Sequence, residues 1–416
     1  MSPTVDHEQR LRHKLPAGIV DAALSSLATF GAGLAAVRWL EPAELGTYSV
    51  IFSAFLVASL LPIEIIYTPV QVSMIRLEVK ERLGGIVHSL GSGIAPAMLG
   101  CALILAAGGL IWWRSDPTAV IELAVTGVGL TVISPMQDHL RRGFHIAERS
   151  WGAASMSGSQ LVAVVVALLV MQSLGVAPAW APLGSLVIAN IVSLGFGLLM
   201  SRGAWRVRPH APVVTVSGRW LAASSVSAYG GTLVASVVMT LVAGPEIVGF
   251  AEAARVAAQP VLVVTTGVAA ALASRHLRAA ASVDRAAAIT TNKSFFLVIA
   301  VAGISYLCIA GFAWSFNPVF ALIPSAYDIP WLIPVTILSN LFLSFTSPLR
   351  DQLIASNMEV PMAKIDFASL AIPTVVATTA GLTGAFARPL GIIGQNLYRT
   401  IRYRSIWRSV FAAVSE

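Results

Sequence analysis

Charged residues are scarce in this 416-residue chain, at 11% of the total, whereas 56% of the residues are apolar. A soluble globular domain carries about 25% charged residues, so this chain could not cover a water-exposed surface of the usual kind. The composition excludes a soluble protein and predicts a polytopic membrane protein whose solvent is mostly lipid. The net charge of +7 then reflects membrane topology, and we predict no nucleic-acid partner.

Cysteine and catalytic motifs are almost as scarce. Cys101 and Cys308 are the only cysteines, and each lies in an apolar segment, which argues against a disulfide framework or a thiolate metal site. The seven histidines lack the spacing and the Glu partner of a helical zinc site, and we interpret them as surface residues. No P-loop, His-Glu-x2-His or Gly-x-Ser-x-Gly motif occurs, so we predict no enzymatic activity, metal or cofactor.

Long apolar runs are what the sequence has in abundance. Twelve of them could cross about 30 Å of hydrocarbon, which predicts an all-α fold of about twelve transmembrane helices. The last run is the weakest because it holds Arg388 and a polar Gln395-Asn396 pair, and a short or re-entrant segment is the alternative. The predicted spans are 17–37, 47–69, 90–112, 117–136, 152–173, 180–200, 220–242, 247–273, 294–313, 329–348, 365–384 and 386–401.

The distribution of Lys and Arg agrees with this topology. If the N-terminus is cytoplasmic, most of the 27 basic residues fall in cytoplasmic loops and tails, as the positive-inside rule requires. We therefore predict a multi-pass protein of the plasma membrane with both termini in the cytoplasm. In this count Arg350 belongs to a cytoplasmic loop and Arg399 to the C-terminal tail.

Two short sequences occur twice in matching places of the hydropathy pattern. Ser134–Leu140 resembles Ser347–Leu353 at an offset of 213 residues, and Pro42–Gly46 resembles Pro245–Gly249 at an offset of 203 residues. Such doubling is a common plan of membrane transporters. It predicts two pseudo-symmetric six-helix bundles around a central cavity.

The boundary between the two halves is predicted at a basic, Gly- and Pro-containing stretch that suits a connector. Residues 1–202 form the N-terminal bundle, residues 203–217 a cytoplasmic linker, and residues 218–416 the C-terminal bundle.

Two predicted spans carry polar stripes at helical spacing. The two stripes overlap when the first is shifted by 203 residues, so they either face a shared cavity or form close helix contacts in lipid. The first stripe consists of Asp21, Ser25 and Thr29, and the second of Ser225, Tyr229, Thr232 and Ser236.

Charged residues inside spans are costly in lipid and are therefore candidates for function. Arg38, Arg255 and Arg388 lie in outer halves, where the positive-inside bias does not place them, and a guanidinium binds phosphate oxygens in a bidentate manner. We predict that these three arginines bind an anionic headgroup. The alternative interpretation of Arg38 is that its side chain snorkels to the outer interface. The alternative for Arg255 is a structural ion pair with Glu252, three residues before it.

The segment from Ala36 to Tyr48 reads AVRWLEPAELGTY. It resembles the A-x-R-x-L-x-P-x-x-[FL]-G-x-[YF] signature of Wzx-like polysaccharide flippases, members of the multidrug/oligosaccharidyl-lipid/polysaccharide (MOP) superfamily. The resemblance implies two bundles around a V-shaped cavity that opens alternately to each side and moves a lipid-linked saccharide across the membrane. It further implies membrane lipid, a polysaccharide polymerase or glycosyltransferases as partners, and ion coupling, for which Asp21, Glu64 and Glu252 are the candidates.

One departure from that family leaves the cargo open. The predicted spans hold no lysine and only two arginines, so the predicted lumen has few cations. The alternatives are an ion-coupled multidrug or cation antiporter of the same superfamily and a non-transporting scaffold of a polysaccharide assembly complex.

Overall fold

A computed structural model describes residues 3–75, 77–206, 216–281, 284–311, 317–327 and 329–412, and these residues form helices and connecting turns without a strand. The first eight helices form one bundle, here called the N-lobe. Proline and acidic residues set helix starts: α2 begins at Pro42 behind a capping box of Glu41 and Glu44, as the fixed φ of proline favours. The N-lobe helices are α1 (Pro3–Trp39), α2 (Pro42–Pro62), α3 (Thr68–Ile75), α4 (Val79–Ser89), α5 (Ile94–Ile111), α6 (Pro117–Ile146), α7 (Ser150–Ser173) and α8 (Ala181–Met200).

The remaining helices form the second bundle, here called the C-lobe. Part of the predicted linker, residues 207–215, lies outside the described residues. The C-lobe helices are α9 (Val216–Ala243), α10 (Pro245–Ala281), α11 (Arg285–Ala310), α12 (Pro318–Leu322), α13 (Leu332–Phe345), α14 (Ser347–Ala355), α15 (Glu359–Ser369), α16 (Ala371–Thr378), α17 (Ala380–Thr383) and α18 (Ala387–Ala412).

The prediction of twelve spans in two bundles is confirmed. Eleven helical stretches of the described chain are long and apolar enough to cross a membrane. A twelfth long helix is α18, whose 26 residues extend over about 39 Å, although it is not among the stretches that are apolar enough to qualify. Arginines along α18 keep its hydropathy low, which is why the apolar run is shorter than the helix.

Several helices also extend past the predicted span ends. The repeated stretches Ser134–Leu140 and Ser347–Leu353 were expected between apolar segments, but they lie inside α6 and α14. Pro135 lies within α6, because a helix in a membrane protein can satisfy the freed backbone group through its neighbours. Polar residues of both stretches are consequently buried in the bundles.

The two lobes meet at crossing helices α2 and α10 with a reciprocal backbone contact. A Cβ on Gly46 would lie 1.8 Å from the carbonyl oxygen of Pro245, and a Cβ on Gly249 would lie 1.9 Å from that of Pro42. Both pairs of equivalent positions are related by the offset of 203 residues found in the sequence. The contact therefore has pseudo-two-fold symmetry, and glycine is required in both copies because no side chain fits.

We call the end of the molecule near this contact the distal end and the opposite end, where the chain passes from α8 to α9, the linker end. Four further hydrogen bonds, from three side chains, join the lobes at the distal end. Arg38 donates to the carbonyls of Ala321 and Leu322, and Arg114 donates to the carbonyl of Leu241. In addition, Tyr327 donates to the carbonyl of Leu40.

Candidate functional site

Two adjoining cavities, of about 130 and 140 Å³, run through the C-lobe. Ala228, Tyr229, Leu262 and Leu343 line both, so they form one path from the distal half towards the linker end. Helix α2 of the N-lobe closes the distal part. The charged side chains lining the path are Arg255 and Arg388 in the distal cavity, and Arg350, Asp351 and Arg399 in the other.

The distal cavity is bordered by a buried charge cluster around Glu252. This carboxylate is completely buried; it accepts bonds of 2.6–2.9 Å from Arg255, three residues later on α10, and one of 2.9 Å from Arg388 on α18. Ser49 on α2 donates to Glu252 at 2.8 Å and accepts from Arg388 at the same distance. Two guanidinium groups thus share one carboxylate, and the cluster carries one surplus positive charge.

The cluster leaves donors for a ligand. Among the described residues, Arg388 donates hydrogen bonds only through Nη1 and Arg255 only through Nε and Nη2. The Arg255 guanidinium also lies over the Phe52 ring at 5.1 Å, which fixes its orientation. The remaining N–H groups of two arginines that line the cavity can serve an anion.

A contact between the lobes lies beside the second cavity and includes Arg350, one of the residues that line it. Glu64 lies in a π-helical turn, Ile63–Tyr67, that follows Pro62 of α2, and such turns are frequent at functional sites. Its carboxylate accepts from Ser225 at 2.8 Å and lies 3.8 Å from the Arg350 guanidinium. Arg350 in turn donates to Ser225 at 2.6 Å.

Asp366 anchors a second buried cluster, which the sequence did not predict. It is fully buried and accepts from Arg399 at 2.7 Å, from Tyr403 and from Ser224. The cluster fixes the Arg399 guanidinium at the wall of the second cavity. Four arginines therefore line the two cavities. Two of them, Arg255 and Arg388, are those inside the predicted spans, and Arg350 and Arg399 are additional.

Asp21 lies within the N-lobe, away from both cavities. It accepts from Arg141 at 2.9 Å, from Ser157 at 2.6 Å and contacts His145 at 2.8 Å. Arg141 also bonds Asp138. The aspartate is therefore part of a network linking α1, α6 and α7, and the structure does not bring it together with Glu64 or Glu252.

The two polar stripes have different surroundings. In the second stripe, Tyr229 and Thr232 line the distal cavity, and Ser225 bonds Glu64 and Arg350. Ser236 is buried and donates to the carbonyl of Thr232 on its own helix. In the first stripe, Thr29 bonds the carbonyl of Ser25, and both are half-buried outside these cavities.

The three predicted headgroup arginines also separate. Arg255 and Arg388 share Glu252 and line the distal cavity. Arg38, by contrast, is exposed, and its bonds within the described residues go to the backbone carbonyls of Ala321 and Leu322 at the end of α12. The position of Arg38 fits its interfacial alternative. It thereby provides a matched comparison residue for the other two.

Interpretation of the histidines as surface residues is wrong for His139 and His276, which are each 1% exposed. His139 stacks on Tyr67 and bonds Gln71 and Ser89 at 2.9 Å each. Both residues lie near the ends of long helices, where sequence alone does not show that other helices cover the ring. Within the described ranges, no group of three or more His, Cys, Asp or Glu residues could hold a metal ion.

Comparison with solved structures shows which fold this is. An outward-facing multidrug resistance MATE family transporter of the MOP superfamily aligns with a TM-score of 0.69 and 13% identity, over 98% of this chain and 96% of the other. An inward-facing MATE transporter aligns with 0.62 and 14% identity, over 94% and 98%. The chain has the two-lobe helical fold of these proteins.

A third solved structure is a MOP superfamily transporter from Pyrococcus furiosus, with a TM-score of 0.67 and 12% identity over 96% of each chain. It is described as having a binding pocket of reverse polarity that suggests a different function. No protein-family model and no curated protein matches the sequence.

Proposed function

We propose that this protein is an alternating-access flippase that moves a lipid-linked saccharide, of the polyprenyl-diphosphate type, from the cytoplasmic to the outer leaflet of the plasma membrane. The observation that carries the proposal is the pair of arginines sharing Glu252 beside the distal cavity. An anionic diphosphate is the ligand that compensates their surplus charge. The saccharide then occupies the polar path towards the linker end.

The energetic task of such a protein fits this site. A charged sugar headgroup crosses hydrocarbon slowly because its charges and hydroxyl groups must be desolvated. Fixed guanidinium groups replace the lost water contacts of the diphosphate, and rocking of one lobe against the other exchanges access. The fold supports this cycle, since its solved relatives include inward- and outward-facing forms.

The orientation and domain boundaries belong to the same proposal. The linker end, rich in arginine, faces the cytoplasm, as do both termini, and the distal end faces outwards. Residues 1–202 and 218–416 are the two moving bodies, connected through 203–217. Enzymes that build the saccharide or polymerise it are the expected partners on either side.

The test uses purified protein in proteoliposomes that contain a fluorescent, short-chain polyprenyl-diphosphate saccharide. A membrane-impermeant quencher reports the amount in the outer leaflet with time. Arg255→Gln removes the surplus charge but leaves Glu252 paired with Arg388, so the fold should persist. We expect its translocation rate to fall about tenfold or more, the loss for a charge-assisted hydrogen bond.

The matched control is Arg38→Gln, the same substitution at an arginine outside the cavity, for which we expect the parent rate. Equal rates for Arg255→Gln and the parent would remove the role of the distal site. A parent protein that moves no labelled lipid would favour the scaffold alternative.

The second candidate is an antiporter of amphipathic cations. It is favoured by the multidrug resistance relatives and by Asp351, the one carboxylate lining the two cavities in the described part of the chain. This function requires Asp351→Asn to abolish efflux of a cationic dye, whereas Arg255→Gln should not weaken it.

A further inference from the structure

The repeated stretches Ser134–Leu140 and Ser347–Leu353 place two aspartates in equivalent positions, Asp138 in the N-lobe and Asp351 in the C-lobe. Asp138 forms ion pairs with Arg141 at 2.5 Å and with Arg142 at 2.7 Å. Arginine remains charged at any physiological pH. The N-lobe aspartate is thus permanently neutralised.

The C-lobe copy has lost both arginines. At the offset of 213 residues, Ile354 and Ala355 occupy the places of Arg141 and Arg142. Among the described ion pairs, Asp351 has one partner, the Nδ1 atom of His276 at 3.9 Å. The repeat therefore exchanged two guanidinium groups, which are permanently charged, for one imidazole, a group that can bind or release a proton.

His276 is poorly satisfied in its present position. The side chain is 1% exposed and stands edge-on to the Phe295 ring. Neither ring nitrogen has a hydrogen-bond partner in the described ranges. Unpartnered buried nitrogens call for an explanation, and the separation of 3.9 Å from Asp351 is one that a small rotation of either side chain closes.

The remaining charges around this pair are fixed in other contacts. Arg350 bonds Ser225 beside Glu64 of the N-lobe, and Arg399 bonds Asp366. Lys293 of α11 and Arg219 of α9 are exposed. Among the ion pairs described, that with Asp351 is the one His276 makes.

We propose that His276 and Asp351 form a proton-binding pair that couples transport to the proton gradient; the coupling role rests on the proposed function. A proton bound to His276 creates an ion pair with Asp351 and adds one positive charge beside the second cavity. Without that proton, the positive charges of Arg350 and Arg399 at this cavity are compensated by nearby acidic side chains. The added positive charge acts electrostatically on Arg350, which is next to Asp351 in the chain. It thereby also affects the contact between Arg350 and Glu64.

Proton binding is tested first without any transport assay. In protein labelled with ¹⁵N-histidine, the ring signal that disappears in His276→Gln should shift between about pH 5 and 8, and Asp351→Asn should change that titration. A His276 signal that stays constant over this range, or is indifferent to Asp351→Asn, overturns the proton site even if the protein is a flippase.

Coupling is tested in the proteoliposomes described above, with and without an imposed pH gradient. We expect the gradient to change the translocation rate of the parent and the response to be lost in both His276→Gln and Asp351→Asn. Translocation without a gradient should persist in His276→Gln, since His276 is not among the residues that line the two cavities. His145→Gln, at the other histidine that contacts an aspartate, should retain the response. Retention in His276→Gln, or loss only in His145→Gln, overturns the coupling role, whereas a parent without any translocation contradicts the proposed function instead.

Discussion

Helices α2 and α10 are copies of each other in position but differ in charge. At equivalent positions α2 has Ser49 and Phe52, whereas α10 has Glu252 and Arg255. These residues also contact one another across the pseudo-two-fold axis, Ser49 with Glu252 at 2.8 Å and Phe52 with the Arg255 guanidinium at 5.1 Å. One lobe supplies the charges and the other supplies the groups that hold them.

The comparison separates what the repeat preserves from what it changes. The close backbone contacts at Gly46 and Gly249 are present in both copies, because the crossing of the helices requires them. Side chains beside the cavity are not constrained in this way. The symmetric contacts therefore belong to the scaffold, and the candidate site lies mainly in the C-lobe.

The largest expected effect comes from removing the carboxylate of this asymmetric pair. Glu252→Gln leaves Arg255 and Arg388 buried without an anion, and breaking a buried ion pair from one side costs about 3–5 kcal/mol. We expect a correspondingly lower unfolding temperature of the purified protein in detergent. An unchanged temperature would contradict the role of Glu252 as the anchor of both arginines.

Exchanging the residues at positions 49 and 252 across the pseudo-two-fold axis tests the anchoring role of the carboxylate more directly. Ser49 bonds Arg388 at 2.8 Å, so a carboxylate introduced there still reaches that guanidinium. Ser49→Glu combined with Glu252→Ser should therefore recover part of the stability that Glu252→Ser loses alone.

A smaller effect is expected where the copies are alike. Gly46→Ala and Gly249→Ala each place a methyl group against a carbonyl oxygen, and overpacking typically costs about 1–3 kcal/mol. Both should lower the unfolding temperature to a similar extent. Gly31→Ala is the control, since a Cβ there has no atom within 4 Å. If Gly46→Ala and Gly249→Ala lowered the unfolding temperature by very different amounts, the two contacts would not be equivalent.

The smallest effect is expected at the contact between the lobes near the linker end. Glu64→Gln weakens the 3.8 Å pair with Arg350 but can keep a bond to Ser225, so the expected cost is at most about 1 kcal/mol. We expect a modest population shift towards separated lobes, measured as a longer distance between spin labels on α3 and α14. An unaltered distance distribution would show that this pair does not hold the lobes together.

The sequence alone was sufficient for the fold class, because hydropathy, the positive charges and the two repeats each reflect the membrane. It also indicated Glu252 with Arg255, which are three residues apart on one helix. Arg350 and Arg399 were missed for a physical reason. They lie near the ends of apolar runs, and an apolar run does not show how far its helix continues into the bundle.

Interaction partners that lie on distant helices could not be predicted from the sequence either. Asp21 in a predicted span reads as a cavity residue until Arg141, 120 residues later, is found beside it. The repeat offset could have revealed more, since it aligns Asp138 with Asp351 and shows that the arginines after Asp138 have no counterparts. That signal depends on treating α6 and α14 as continuous helices.

The bonds of Arg38, Arg114 and Tyr327 at the distal end share one property: each is accepted by a main-chain carbonyl of the opposite lobe. Every residue type offers such an acceptor, so the receiving positions are free to change identity during evolution while the bond survives. Correlated substitutions between the lobes would consequently be weak at this end. A search for covarying residue pairs would therefore underestimate how strongly the two lobes are held together there.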